Sequence, residues 1–173
     1  MTEANRDWLI RKARIQDVVL MHRLINELAD QGDMLPRALS DIYENLRDYY
    51  VAEIEERAVA CCALHICWED LGEVRSLAVV GTLRRRGLGR ALVNRCLAEA
   101  RELGLARVFT LTLKPDFFER TGFRRVDVSH LPRKVWGECF HCPKFPNCDE
   151  VALLHELTPA AHSAGAAHAA PGR

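Results

Sequence analysis

Apolar and polar positions along the chain follow two periods, which predicts a domain of alternating strands and helices. Met21, Leu24, Ile25 and Leu28 form one stripe at helical spacing. A second stripe runs through a helix predicted over 91–103, which Gly104 ends. Strands are predicted over 9–14, 49–54, 58–68, 73–80, 107–113, 123–128 and 151–157, and short helices over 41–47 and 115–121. The predicted order is therefore β-α-α-β-β-β-α-β-α-β-β.

Two N-caps and a domain boundary complete this prediction. Asp17 precedes the first helix and Ser40 the second, each with a side-chain oxygen suited to capping. Residues 1–157 carry no linker and are predicted to form one domain, with a cysteine-containing excursion over 131–150. Residues 158–173 are rich in Ala, Gly, Pro and His without periodicity, which predicts a disordered tail.

Charge and hydropathy narrow the classes of function. Lys plus Arg and Asp plus Glu both number 24, so the net charge is zero. That balance argues against a chain that coats nucleic acid or an anionic membrane. No apolar run approaches the roughly 20 residues of a spanning helix, and the N-terminus is polar without a signal-peptide core. We expect a cytoplasmic protein with small-molecule substrates and with neither a membrane nor a nucleic-acid partner.

Between the fourth strand and the third helix lies a motif of arginines and glycines, residues 84–90, which reads RRRGLGR. A glycine-rich turn that opens a helix presents unpaired N–H groups and a positive dipole end, which suit a phosphate. The arginines favour a pyrophosphate. No Lys-Ser/Thr pair follows Gly89, which excludes a Walker loop, and Leu92 occupies the third glycine position of a dinucleotide fingerprint. The alternative is an ordinary arginine-rich turn. The position of the motif between a strand and a helix favours an anion-binding site over this alternative.

The pattern Arg84-x-x-Gly87-x-Gly89 resembles the acyl-CoA-binding motif of the GNAT family of N-acetyltransferases, whose order of elements is also similar. Within that family, residues 34–39, 72–79, 117–123 and 134–150 resemble short, single-domain N-acetylglutamate synthases. The resemblance implies an α/β fold with a mixed, mostly antiparallel sheet flanked by helices. It also implies transfer of acetyl from acetyl-CoA to the α-amine of L-glutamate, the first step of arginine biosynthesis.

The resemblance assigns roles at the donor end of such a site. Acyl-CoA would bind the loop formed by Arg84, Arg85, Arg86, Gly87, Leu88, Gly89 and Arg90. Backbone N–H groups of Leu77 and Val79 would bind the thioester oxygen and the pantetheine arm. Many relatives carry a tyrosine after the fifth strand as general acid, where this chain has Phe117-Phe118. The departure costs little, because an alkyl thiol has a pKa near ~8.5 and its anion leaves readily.

The acceptor end requires a base and cations. Glu73 is the candidate general base, directly or through a water, with a solvated carboxylate as the alternative. Without a bulge, strand alternation puts Glu73, Arg75, Leu77 and Val79 on one face; the family's strand carries such a bulge. The two carboxylates of glutamate call for at least two cations: Arg37 and Arg75 first, then Lys114 and Lys144. For each of the four, an ordinary surface cation is the alternative.

Seven cysteines divide into two groups. Cys61, Cys62, Cys67 and Cys96 lie in apolar stretches, which predicts small buried hydrophobes and no disulfide framework. The second group could supply three thiolate ligands to zinc or an iron–sulfur site: Cys139, Cys142 and Cys148. The fourth ligand would be His130, His141 or His155. We favour metal-free thiols that brace the acceptor side, with zinc as the alternative.

Two other functions stay open at this point. One is an acetyltransferase of the same fold acting on another amino acid or a polyamine, although the cations favour an anionic acceptor. The other is a non-catalytic acyl-CoA or metal sensor, motivated by Phe117-Phe118 and the cysteine cluster. For the enzyme we expect direct attack in a ternary complex, since no cysteine is placed as an acyl carrier. A homodimer is compatible with the sequence, which does not define the oligomeric state.

Overall fold

The computed structural model describes residues 7–131 and 149–157. Its strands are β1 (Leu9–Lys12), β2 (Tyr49–Ile54), β3 (Arg57–Trp68), β4 (Leu71–Val79), β5 (Arg107–Thr112), β6 (Arg124–Arg125) and β7 (Val151–Glu156). Its helices are α1 (Val18–Asp30), α2 (Leu39–Glu44), α3 (Leu88–Glu102) and α4 (Pro115–Glu119). The order of strands and α-helices is the one that the sequence predicts. Most of the 131–150 excursion and the 158–173 tail lie outside the described residues.

Within the described ranges the strands form one seven-stranded sheet in the order β1-β2-β3-β4-β5-β7-β6. Neighbouring strands are antiparallel apart from β4 and β5, which run parallel and are joined by the crossover through α3. α3 packs on one face of the sheet and α1 on the other. The predicted α/β fold with a mixed, mostly antiparallel sheet is therefore confirmed.

The two helical stripes bury into separate cores. On one face, α3 contributes Leu92, Val93 and Cys96 to a core shared with β4 and β5. On the other, the stripe of α1 (Met21, Leu24, Ile25 and Leu28) is at most 8 % exposed. Cys61 and Cys62 lie in opposite cores on neighbouring positions of β3. Cys61, Cys62 and Cys96 are fully buried free thiols, as predicted, whereas Cys67 is partly exposed.

The helix ends agree with the sequence at Gly104 and differ from it at the N-caps. Gly104 has φ +81°; its N–H bonds to Arg101 O (3.1 Å), and Leu105 N–H bonds to Ala100 O (2.9 Å). Both bonds belong to a glycine stop. Asp17 precedes α1, but its carboxylate accepts from Arg14 N–H (2.7 Å) and the Arg11 guanidinium (2.6 Å). The Ser40 prediction is wrong: Ser40 lies inside α2, because the extended residue before the helix is Ala38.

A bulge in β4 changes which side chains share a face. Cys61 pairs with Ala78 and Ala63 with Arg75, so Ser76 and Leu77 together oppose Cys62. Ser76 adopts the left-handed region at φ +54°. After the bulge the alternation is shifted by one residue. The bulge that the resemblance implies is therefore present, and the common face of an unbulged strand is not formed: Glu73 and Arg75 lie on the α1 side, and Leu77 and Val79 pack on the α3 side.

The sheet opens between its two parallel strands. β4 and β5 pair only over Leu71–Arg107, Gly72–Val108 and Glu73–Phe109 in the part of the chain that the structure describes. β4 then continues to Val79 and β5 to Thr112 as diverging strands. The resulting wedge begins at Glu73 and opens a cleft through the middle of the sheet.

Among the described residues, no helix is long and apolar enough to cross a membrane.

Candidate active site

A cleft of about 1330 Å³ occupies the wedge between β4 and β5. It also reaches the loop after α1 and the turn before α3. The predicted site residues that line it are Arg37, Glu73, Arg75, Leu77, Val79, Arg84, Arg85, Gly87, Leu88, Gly89, Arg90 and Lys114. Arg86 lies away from this lining, with Nη2 3.6 Å from Asp7 Oδ2. Lys144, Cys139, Cys142 and Cys148 lie outside the described residues.

The arginine–glycine turn places a helix N-terminus at the cleft. α3 begins at Leu88, three residues before the sequence predicts, so the helix starts inside the motif. Its first intrahelical bond runs from Ala91 N–H to Gly87 O (3.0 Å). The N–H groups of Leu88, Gly89 and Arg90 therefore precede that bonded turn, at the positive end of the helix dipole. Such an end binds anions, phosphate groups in particular.

The two glycines of the motif serve different needs. Gly87 has φ +90°, a conformation that glycine adopts without strain. Gly89 has ordinary helical backbone, but a Cβ there would lie 3.4 Å from the Phe117 ring and 3.8 Å from Leu77 Cδ2. The start of α3 thus lies close against Phe117 of α4 and Leu77 of β4. A side chain at Gly89 would fill the space where the donor end of the cleft narrows.

Phe117 and Phe118 pack as hydrophobic side chains. Their rings meet edge to face at 5.0 Å, and Phe118 meets Phe123 at 5.4 Å. Phe118 belongs to the α3-side core, whereas Phe117 is partly exposed and lines the cleft beside Gly89. Neither ring carries a proton to donate, so neither residue can act as a general acid.

Glu73 and Arg75 form a shielded ion pair at the apex of the wedge. Arg75 Nη1 lies 3.7 Å from Glu73 Oε2, and the two side chains are 7 % and 13 % exposed. Low exposure strengthens charge interactions, because little water screens them. A carboxylate and a guanidinium thus lie side by side where β4 and β5 separate.

Asn26 of α1 holds the backbone at Arg37. Asn26 Nδ2 donates to Arg37 O (2.9 Å) and His22 O (2.8 Å), and Arg37 N–H donates to Asn26 Oδ1 (3.3 Å). The loop that carries Arg37 is therefore tied to a rigid helix. Sequence reasoning missed Asn26, whose one signal is an amide directly after the buried Ile25 of the stripe.

Asp33 links three parts of the cleft and was also missed. Its Oδ1 accepts from Lys114 Nζ (2.8 Å), and its Oδ2 lies 3.6 Å from Arg84 Nη2. Two cations that the sequence assigned to different ligands therefore share one carboxylate. The carboxylate offsets part of their charge and connects the loop after α1 to the ends of β5 and the glycine turn.

Tyr49 forms a hydrogen bond to the residue at the bulge of β4. Its hydroxyl donates to Ser76 Oγ at 3.3 Å, and both side chains are buried. Burial raises the pKa of the Tyr49 hydroxyl, although its hydrogen bond to Ser76 opposes the shift. The neutral hydroxyl therefore remains a donor to the side chain of the residue at the bulge.

Within residues 7–131 and 149–157, no group of three or more His, Cys, Asp or Glu side chains is arranged to hold a metal ion. The three cysteines of the zinc alternative lie outside these ranges.

Comparison with known proteins identifies the family. The model of the acetyltransferase (GNAT) family matches residues 19–123. An uncharacterized N-acetyltransferase of Chlorobaculum tepidum is 38 % identical over 151 residues, covering 87 % of this chain and 97 % of the relative. The amino-acid acetyltransferase of Mycobacterium tuberculosis is 38 % identical over 143 residues, covering 80 % and 82 %.

Solved structures agree in fold. A Mycobacterium tuberculosis protein in complex with CoA and NLQ superposes with a TM-score of 0.76 at 32 % identity, covering 87 % of this chain and 99 % of that one. N-acetylglutamate synthase from Neisseria gonorrhoeae, complexed with coenzyme A and N-acetyl-glutamate, gives 0.79 at 25 % identity, covering 91 % and 36 %. The chain belongs to the acetyltransferase (GNAT) family, and it is an acetyltransferase.

Proposed function

We propose that this acetyltransferase moves the acetyl group of acetyl-CoA to the α-amine of L-glutamate, the first step of arginine biosynthesis. One observation carries the proposal: a single cleft joins a glycine turn at a helix N-terminus to a shielded Glu73–Arg75 pair. The amino-acid acetyltransferase relative and the synthase neighbour support the same acceptor class.

At the donor end, the N-terminus of α3 and the Arg84, Arg85 and Arg90 side chains bind the pyrophosphate of the coenzyme. Leu77 and Val79 lie on the stretch of β4 that has separated from β5. Backbone groups there that point away from β3 face the cleft, where they hold the thioester oxygen and the pantetheine arm. Such preorganised donors contribute a few kcal/mol to transition-state stabilisation.

At the acceptor end, Arg37 and Arg75 bind the carboxylates of glutamate, and Glu73 takes a proton from the ammonium group. The neutral amine attacks the thioester carbon directly in a ternary complex. The C–S bond breaks, and the second proton of the N-acylated nitrogen passes, directly or through water, to the departing thiolate, which leaves the neutral amide and the free CoA thiol. Lys114 adds a cation whose charge Asp33 partly offsets.

The test is release of free CoA thiol by the purified chain with each of several acceptors. Acetyl-CoA is supplied alone and with glutamate, glutamine, aspartate, lysine or spermidine. The acetylated product is identified by mass spectrometry. We expect release that depends on glutamate and forms N-acetylglutamate. Stimulation by another amine instead would assign a different acceptor, and tight CoA binding without release would assign a sensor.

A further inference from the structure

A histidine–aspartate pair lies beside the candidate base. His65 Nδ1 is 2.6 Å from Asp48 Oδ2. His65 is on β3, and Asp48 ends the 3₁₀ turn Leu46–Asp48 that leads into β2. The side chains are 29 % and 23 % exposed, so water reaches both. Neither residue was singled out from the sequence.

The sheet brings this pair next to Glu73. His65 and Glu73 are direct cross-strand partners in the antiparallel β3–β4 ladder. Direct partners share a face, with Cβ atoms about 4.5–5.5 Å apart. Both side chains line the cleft on the α1 side. His65 therefore contacts Asp48 and also neighbours Glu73 across the β3–β4 ladder.

The carboxylate decides which ring nitrogen is available. An ionised Asp48 can only accept, so Nδ1 carries the hydrogen and Nε2 of the neutral ring is left as the acceptor. A carboxylate on Nδ1 also stabilises the imidazolium that forms when Nε2 takes a proton. The pair is thus arranged to receive a proton and hold it briefly.

In the proposed reaction, Glu73 must release the proton that it takes from the acceptor ammonium group. Its side chain is 13 % exposed, whereas the neighbouring His65 is 29 % exposed. We propose that His65, oriented by Asp48, relays the proton that Glu73 takes from the acceptor amine to solvent. This inference rests on the proposed function, in which Glu73 is the base.

The steps balance in protons. An N–H bond of the ammonium breaks as an O–H bond forms on Glu73; that bond breaks as an N–H bond forms on His65 Nε2. The imidazolium then gives its proton to water, and Asp48 stays ionised throughout. The other charged groups that line the same cleft are Asp33, Arg37, Asp41, Arg75, Arg84, Arg85, Arg90, Lys114, Asp116, Arg120 and Glu150.

The test compares His65→Gln and Asp48→Asn with the wild-type chain in the thiol-release assay across pH. For His65→Gln we expect kcat about 100-fold lower at pH 7, within the usual range for proton transfer by a side chain. Both KM values stay within about twofold, because the relay touches neither substrate. The deficit shrinks as pH rises, because more of the amine arrives neutral. Asp48→Asn gives a smaller loss with the same pH trend.

Matched variants separate a relay from a brace between β3 and the 3₁₀ turn. His22→Gln changes a partly exposed histidine of α1 that does not line the cleft, and it leaves kcat and its pH profile unchanged. His65→Ala regains activity with added imidazole. A His65→Gln enzyme that keeps the wild-type kcat and pH profile while its melting temperature falls would overturn the relay.

The thiol-release assay also separates failure of the relay from failure of the proposed function. A His65→Gln enzyme with the wild-type kcat would overturn the relay whichever amine is the acceptor. A wild-type chain without glutamate-dependent thiol release would instead overturn the proposed function.

Discussion

At the scale of single residues, the missing side chain of Gly89 leaves space at the start of α3. The open space above its Cα lies between the Phe117 ring and Leu77, at the mouth of α3. The motif alone predicts that glycine is needed at both of its positions. Which glycine is needed for backbone conformation and which for space depends on Phe117, 28 residues further along the chain, so the sequence cannot show it.

Gly89→Ala is expected to weaken binding of CoA about tenfold, or about 1.4 kcal/mol, because the new methyl group occupies space beside the Phe117 ring that the coenzyme would need. Calorimetric titration with CoA measures the change. Gly81→Ala is the control, since a Cβ there meets no described atom within 4 Å and its φ is not positive. Equal affinity of Gly89→Ala and wild type would show that the coenzyme does not approach this position.

Arg75→Ala is expected to raise the KM for glutamate at least tenfold and to change the KM for acetyl-CoA little. The reason is that a charge-assisted bond to a carboxylate contributes about 2 kcal/mol. Loss of the partner of Glu73 should also lower kcat. Steady-state kinetics with each substrate varied gives both values. Arg107→Ala, which breaks the Arg107–Asp70 pair outside the cleft, is the control. Equal effects on the two KM values would remove Arg75 from the acceptor pocket.

At the scale of elements, the loop after α1 is the part of the site that the sequence defines least. Its backbone depends on Asn26, and its carboxylate Asp33 reaches Lys114 and Arg84. These contacts join residues far apart in sequence, and hydrophobic periodicity carries no information about them. The helices and most strands, in contrast, follow directly from periods of 3.6 and 2.

Asn26→Ala is expected to raise the KM for glutamate about fivefold while leaving CoA affinity unchanged. The substitution removes about 1 kcal/mol of hydrogen bonding that holds Arg37 in place. Kinetics with glutamate varied and calorimetry with CoA separate the two effects. Asn94→Ala, at an exposed position of α3, is the matched control. A parallel loss of CoA affinity would mean that the loop serves both ends of the cleft.

The bulge in β4 is an element-scale feature that the pattern hides. Residues 71–79 alternate between buried and partly exposed positions as regularly as an unbulged strand. The bulge at the left-handed Ser76 nevertheless shifts by one residue the alternation of side chains between the two faces of the sheet. A serine in the sequence does not predict a left-handed conformation as a glycine would. The buried Tyr49, which bonds to the Ser76 side chain, lies on another strand. The predicted residues therefore meet in one cleft, but from opposite faces of the sheet.

At the scale of the whole molecule, an ion cluster near the N-terminus ties β1 to α1 and β2. Arg11 contacts both Asp17 and Glu53 at 2.6 Å, and Asp17 also accepts from Arg14 N–H. Burial alone would raise the pKa of Asp17, but the hydrogen bonds from Arg11 and Arg14 outweigh it, so that pKa lies below its ordinary value of 3.8. Asp17 therefore stabilises the fold above about pH 3.8, and this contribution is lost as the pH falls through its lower folded-state pKa.

Asp17→Asn is expected to lower the free energy of unfolding at pH 7 by about 2 kcal/mol, since hydrogen bonds to charged groups are lost. The difference from wild type should hold at pH 5 and shrink below pH 3.8, as the wild-type carboxylate becomes protonated in the unfolded chain first. Urea unfolding at several pH values measures it. Asp30→Asn, at the exposed last residue of α1, is the control. A gap independent of pH between 5 and 2 would contradict the assignment.

The bulge at Ser76 and Leu77 has a consequence for how such a molecule diversifies. Because the bulge shifts the alternation midway along β4, the proposed coenzyme contacts of Leu77 and Val79 lie in the layer under α3, while the proposed amine-binding residues Glu73 and Arg75 lie in the layer under α1. Substitutions that reshape the second layer leave the first intact. An engineer seeking a new acceptor should therefore randomise positions facing α1 and α2 and keep the opposite layer fixed.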